Sequence, residues 1–190
     1  MPEETAVSYC PDELLAEHLA TLRDAPDKAL VELDSLIRRY ARDPRLLFLK
    51  GSFLAGTKDY TAARIAMRDA LDLAPDFDIA RFQLGFLQLT CGEPVAAQET
   101  WGPLHSLAQG HYLHHFVLGL CHLIRDEFGE TIYHLEKGID ANSDNPPLNG
   151  DMRLIAEQVR GKMAEERSDH PETSSAQALL QQAAWRSTMH

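Results

Sequence analysis

Small and large apolar positions recur along this chain on a fixed ruler. Gly51, Gly85 and Gly119 stand 34 residues apart, and Ala29, Ala63, Ala97 and Thr131 form a second track of the same spacing, twelve residues behind the first. Two interleaved tracks of small residues predict a repeat of two helices, because the backbones of paired helices meet most closely where no large side chain holds them apart. Beyond the last repeat, Pro146 and Pro147 break the pattern, and Asn149 or Asp151 is expected to cap a helix running to about Glu166. Met152, Ile155, Ala156 and Val159 form its apolar stripe, as a helix closing the end of a repeat array requires. A polar linker from Arg167 to Thr173 contains His170 and Pro171. A final amphipathic helix is then predicted from Ser174 or Ser175 to about Arg186.

Residues 44–77 carry a pattern of Leu47, Gly51, Leu54, Tyr60, Ala63, Met67, Ala70, Leu71 and Pro75. In this order of large, small, aromatic and helix-ending residues the chain resembles the tetratricopeptide repeat (TPR) family. Residues 78–111 keep Leu84, Gly85, Ala97 and Trp101, and residues 112–145 keep Leu118, Gly119, Phe128 and Leu135. Residues 10–43 keep Ala29, Leu33 and Leu36. The resemblance implies an all-α, right-handed solenoid of four helical hairpins, 10–43, 44–77, 78–111 and 112–145. An N-terminal extension (1–9), a capping helix (146–166) and a linker with a C-terminal amphipathic helix (167–190) complete the expected organisation. The sequence departs from the family where Thr131 and Gly138 replace alanines and where Gln88 and His122 replace an aromatic residue. Gly102-Pro103 is expected to kink or shorten the second helix of the third repeat near Trp101.

In TPR proteins the first helix of each hairpin lines an inner groove, so the resemblance also implies a binding surface. The second repeat would contribute Arg45, Phe48, Ser52, Ala55 and Gly56. The third would contribute Ile79, Phe82, Phe86, Leu89 and Thr90, and the fourth Leu113, Phe116, Leu120, Leu123 and Ile124. In the last two repeats every one of these except Thr90 is large and apolar. An apolar surface of that extent calls for a cover. The expected occupant is an apolar or amphipathic protein segment, with Phe48, Phe82, Phe86 and Phe116 as anchors and Leu89, Leu120, Leu123 and Ile124 as the floor. The chain's own last helix is a rival occupant through Leu179, Leu180, Ala183 and Trp185, in the same protomer or in a homodimer.

Composition narrows the function further. The chain has 190 residues, 44% of them hydrophobic, with 18 Lys and Arg against 29 Asp and Glu for a net charge of −11. That field repels a nucleic-acid backbone. With neither a readable leader nor an apolar run long enough to span a bilayer, a cytoplasmic protein without membrane insertion is expected. Cys10, Cys91 and Cys121 lack metal or disulfide spacing. Of nine histidines, His111, His115 and His122 fall near one helix face, but no cysteine or carboxylate accompanies them there; His115 and His122 read as packing residues and His105 and His134 as surface or packing residues, and neither metal nor cofactor is expected. Phosphate-binding loops and nucleophile motifs are missing from the sequence, so an enzyme is not expected. The function anticipated is that of a scaffold, adaptor or holding chaperone. In size, acidity and apolar groove the chain is similar to bacterial type III secretion chaperones, which guard translocator proteins.

Overall fold

A computed structural model describes residues 9–24 and 26–168; Leu179, Leu180, Ala183 and Trp185 of the predicted last helix lie outside them. Among the described residues the chain is entirely helical, with helices α1 (Asp12–Asp24), α2 (Pro26–Arg39), α3 (Pro44–Gly56), α4 (Tyr60–Leu73), α5 (Asp78–Thr90), α6 (Pro94–Trp101), α7 (Tyr112–Ile124), α8 (Phe128–Ala141) and α9 (Pro146–Ser168). A short 3-10 helix, Gly102–Ser106, follows α6. The sequence ruler reappears in three dimensions: α3, α5 and α7 begin at residues 44, 78 and 112, and α4, α6 and α8 at 60, 94 and 128, each 34 residues after the last. The turns within these pairs also repeat, since Lys58, Gly92 and Asp126, again 34 apart, all adopt the left-handed conformation (φ 68°, 84° and 57°).

The chain divides into two compact units, Met1–Gln83 and Leu84–His190, with the boundary inside α5. In the first, α1 packs on α2 and α3 on α4. Cys10, Leu33 and Leu46 form a buried cluster flanked by Leu14, Leu15, Leu36, Ile37, Tyr40 and Leu49. The start of α3 is set by Asp43, whose carboxylate accepts from the N–H of Arg45, with Pro44 in the first turn where no backbone donor is needed. The same buried carboxylate accepts from the Cys10 N–H at 2.9 Å and from Arg45 Nη2 at 2.8 Å, while Arg45 reaches Asp12 and the Cys10 carbonyl. Burial alone would raise the Asp43 carboxyl; the bonds from Arg45 and Cys10 outweigh it and hold the group below its usual value. Arg45 is thereby tied to the N-terminal segment.

In the second unit the Gly102-Pro103 step limits α6 to eight residues, as the sequence leads one to expect. Helix α7 is capped by His111, whose Nδ1 accepts from the Leu113 N–H. Helix α9 packs on α8 with Met152, Ile155, Ala156 and Val159 buried. It begins earlier than the anticipated Asn149 or Asp151 cap. Pro146 opens the helix, Asn145 Oδ1 accepts from the Leu148 N–H, and Asn149 lies inside the helix with its buried amide bonded to Asn142. Two prolines are compatible with a helix start because first-turn N–H groups have no intrahelical partner. The three cysteines, all among the described residues, form no disulfide.

Candidate functional site

The seams of the α3–α4, α5–α6 and α7–α8 hairpins are each set by a glycine facing a large residue sixteen positions later. A methyl group on Gly51 would lie 2.6 Å from the Met67 side chain, and one on Gly119 would lie 2.8 Å from Leu135. On Gly85 it would overlap the Trp101 indole. Gly138 gives the last hairpin a second close approach, because a side chain there would overlap the Phe116 ring. The replacement of alanine by Gly138 thus makes room for an aromatic ring in the seam.

The ten apolar positions picked from the sequence fall into two groups. Phe82, Leu89, Leu113, Phe116, Leu120 and Leu123 are each no more than 1% exposed. Phe48, Ile79, Phe86 and Ile124 are half-buried. In the first unit Phe48 lies edge-on to Phe77 with ring centroids 5.2 Å apart. In the second, α7 contains no Asp, Glu, Lys or Arg, and besides Ile124 it leaves Tyr112 and Leu118 half-buried.

A second set of residues comes together at the turn end of α7–α8. Positions twelve apart face each other across the hairpin seam: Leu54 and Ala66 are buried in α3–α4, and in α5–α6 the Thr100 hydroxyl donates to Gln88 Oε1 at 2.7 Å. The corresponding pair in α7–α8 is His122 and His134, whose rings stack with centroids 5.3 Å apart. Glu130, one turn before His134 on α8, joins them, and one donor atom from each of His122, Glu130 and His134 lies within 4.8 Å of the other two. Around this trio, His122 Nδ1 is 2.5 Å from Glu127 Oε2, Arg125 Nε donates to the same oxygen at 2.9 Å, and Arg125 Nη2 stands 3.0 Å from the ring. His134 Nδ1 is 3.2 Å from His115 Nδ1. Burial, followed by the nearby histidines, pushes the His134 imidazole below its ordinary value, with Glu130 opposing. Burial and then His114 and Lys137 do the same to His115, opposed by its backbone bond to Gln109. Hydrogen bonds from His122 and Arg125 hold the Glu127 carboxyl below its usual range. The carboxylates that the α7 histidines lack on their own helix therefore come from the turn and from α8. The signal in the sequence was the Glu130–His134 spacing of four, together with the twelve-residue offset that pairs positions across each seam.

No protein-family model and no curated protein matches the sequence. Among solved structures, the chain is similar to MamA RS-1 ArsTM double mutant, with a TM-score of 0.57 and 18% identity over 91% of each chain. It is also similar to MamA 41-end from Desulfovibrio magneticus RS-1, with a TM-score of 0.55 and 23% identity over 83% of this chain and 95% of that one. Both are TPR-like helical proteins, and at these identities the likeness is one of fold: the chain is all-α and TPR-like.

Proposed function

We propose that this chain is a non-enzymatic protein-interaction scaffold or holding chaperone that captures an apolar or amphipathic segment of another protein. The observation that supports this most directly is α7, a helix without Asp, Glu, Lys or Arg in which Tyr112, Leu118 and Ile124 are only half-buried among the described residues. Phe86 of the same unit adds a fourth such residue. Apolar surface left by a chain's own packing is what a partner gains by covering. Completing the burial of one large side chain contributes part of the ~1.5–3 kcal/mol that full burial is worth. Phe86 and Ile124 would be the contact residues of the second unit, while Leu89, Leu113, Phe116, Leu120 and Leu123, each no more than 1% exposed, belong to the core rather than to a contact surface. Phe48 and Ile79 would offer contact surface in the first. Among the described residues no helix is long and apolar enough to cross a membrane.

Substitution at Phe82 or Phe116 would disturb folding, since both are fully buried; Phe86→Asp and Ile124→Asp are the informative variants. Binding of labelled amphipathic helical peptides, followed by fluorescence anisotropy, should weaken by about tenfold or more in each variant, a loss of about 1.4 kcal/mol, while the helical circular dichroism signal is kept. Equal affinity of both variants and the parent chain rejects the reading. If the occupant is instead residues 174–186 of the same or a second copy, truncation after Arg167 should change the oligomeric state or create new hydrophobic-dye binding.

A further inference from the structure

We infer that the α7–α8 hairpin is a binding site for a divalent transition metal, Zn2+ by the character of its donors, with His122, Glu130 and His134 as ligands. Glu130 and His134 are four residues apart on α8, so they leave the same side of the helix, and His122 meets them from α7. Two imidazoles and one carboxylate form a donor set that Zn2+ accepts with a fourth position open to water or to a group from another molecule. Calcium and magnesium, which require oxygen ligands, are disfavoured. Tetrahedral bonds of about 2.0–2.2 Å place neighbouring donors about 3.3–3.6 Å apart. Donors already within 4.8 Å of one another are close to that spacing, and Glu130 is exposed while both histidines are half-buried.

The surrounding hydrogen bonds prepare both rings for this task. The Glu127 carboxylate stands 2.5 Å from His122 Nδ1 and holds that ring in place from the turn. Arg125 donates to the same carboxylate and also stands 3.0 Å from His122 Nδ1, so the three side chains brace one another. For His134, the deciding partner is His115. His134 Nδ1 stands 3.2 Å from His115 Nδ1, so one nitrogen donates to the other and the contact holds the two rings against each other. A carboxylate or imidazole behind each metal-binding ring is the outer-sphere arrangement that orients such ligands. The other hairpins lack the set: Leu54, Ala62 and Ala66 occupy these positions in α3–α4, and Gln88, Ala96 and Thr100 in α5–α6. A bound ion would clamp α7 to α8 beside their turn.

The test uses the full-length chain without a histidine tag, stripped of metal by a chelator and titrated with Zn2+ by calorimetry and with Co2+ by visible absorption. A single saturable ion per chain and the d–d absorption of four-coordinate Co2+ are expected. His122→Gln, Glu130→Gln and His134→Gln should each weaken Zn2+ binding beyond the ~10–100-fold that loss of an outer-sphere partner costs, and Glu127→Gln should fall within that range. His105→Gln, an exposed histidine elsewhere in the unit, should leave the affinity unchanged. Absence of saturable binding, or affinity unaltered by Glu130→Gln, overturns the assignment, as does an equal loss in His105→Gln. Should His134→Gln fail to fold by circular dichroism, the exposed Glu130 variant decides alone.

Discussion

Hairpins α3–α4 and α7–α8 are built to the same measure and filled with different chemistry. Each pairs a helix of 13 residues with one of 14, and each places a glycine against a large residue sixteen positions on. In α3–α4 the rest of the seam is small and apolar, with Ala63, Ala66 and Ala70 buried. In α7–α8 the same positions hold Thr131, His134 and Gly138. The Thr131 hydroxyl donates back to the Glu127 carbonyl within its own helix, so a buried polar group enters the seam without an orphaned donor. Gly138 receives the Phe116 ring, whereas Phe48 stands edge-on to Phe77 and remains half-buried. The difference teaches that a few close-approach positions suffice to set the hairpin, leaving the others open to polar chemistry.

The largest test of this contrast is at the two phenylalanines. Phe116→Ala should cost about 3–5 kcal/mol in chemical denaturation, the range for a fully buried aromatic, and Phe48→Ala distinctly less; equal losses would break the comparison. Next, Gly138→Ala should destabilise by about 1–3 kcal/mol through overpacking against Phe116, and combining it with Phe116→Leu should restore part of the loss. The reverse exchange in the other hairpin, Ala70→Gly, should cost about 1 kcal/mol from helix propensity alone, with any loss of packing added to it.

A third test transplants the seam pair, as His122→Leu with His134→Ala. Because His134 and His115 bind protons less readily when folded, the unfolded chain takes up more protons as pH falls. Stability should therefore decline from neutral pH through the unfolded histidine value of about 6.5 and below, until the folded-state values are passed. Thermal unfolding of the transplanted variant should show a shallower decline over that window and no shift with Zn2+. The smallest effects are expected in the turns. Lys58→Gly relieves a left-handed lysine and should raise stability by less than about 1 kcal/mol, and Asp126→Gly by less again, since aspartate tolerates that conformation better.

Much of the helical pattern was legible because its signals are local or strictly periodic. Gly51, Gly85 and Gly119 announced the close approaches, and Gly102-Pro103 announced the shortened α6. Asn149 misled as a cap because an asparagine after two prolines suits a helix start equally well. Only its bonds to Asn142 show it inside the helix, with Asn145 at the boundary. Along α7 no carboxylate accompanies the histidines, and only the register of the neighbouring helix brings in Glu130.

The sequence by itself determined that this protein is made of paired helices on a 34-residue period, since propensity, turn residues and the spacing of small residues act within or between adjacent segments. Tertiary structure alone decided that Phe82 and Phe116 are buried while Phe86 and Ile124 keep surface. It alone brought His122 to Glu130 and His134. Exposure and ligand geometry depend on which side chains of separate helices share a volume, and an apolar or imidazole side chain looks the same in sequence whether it packs, binds or does neither.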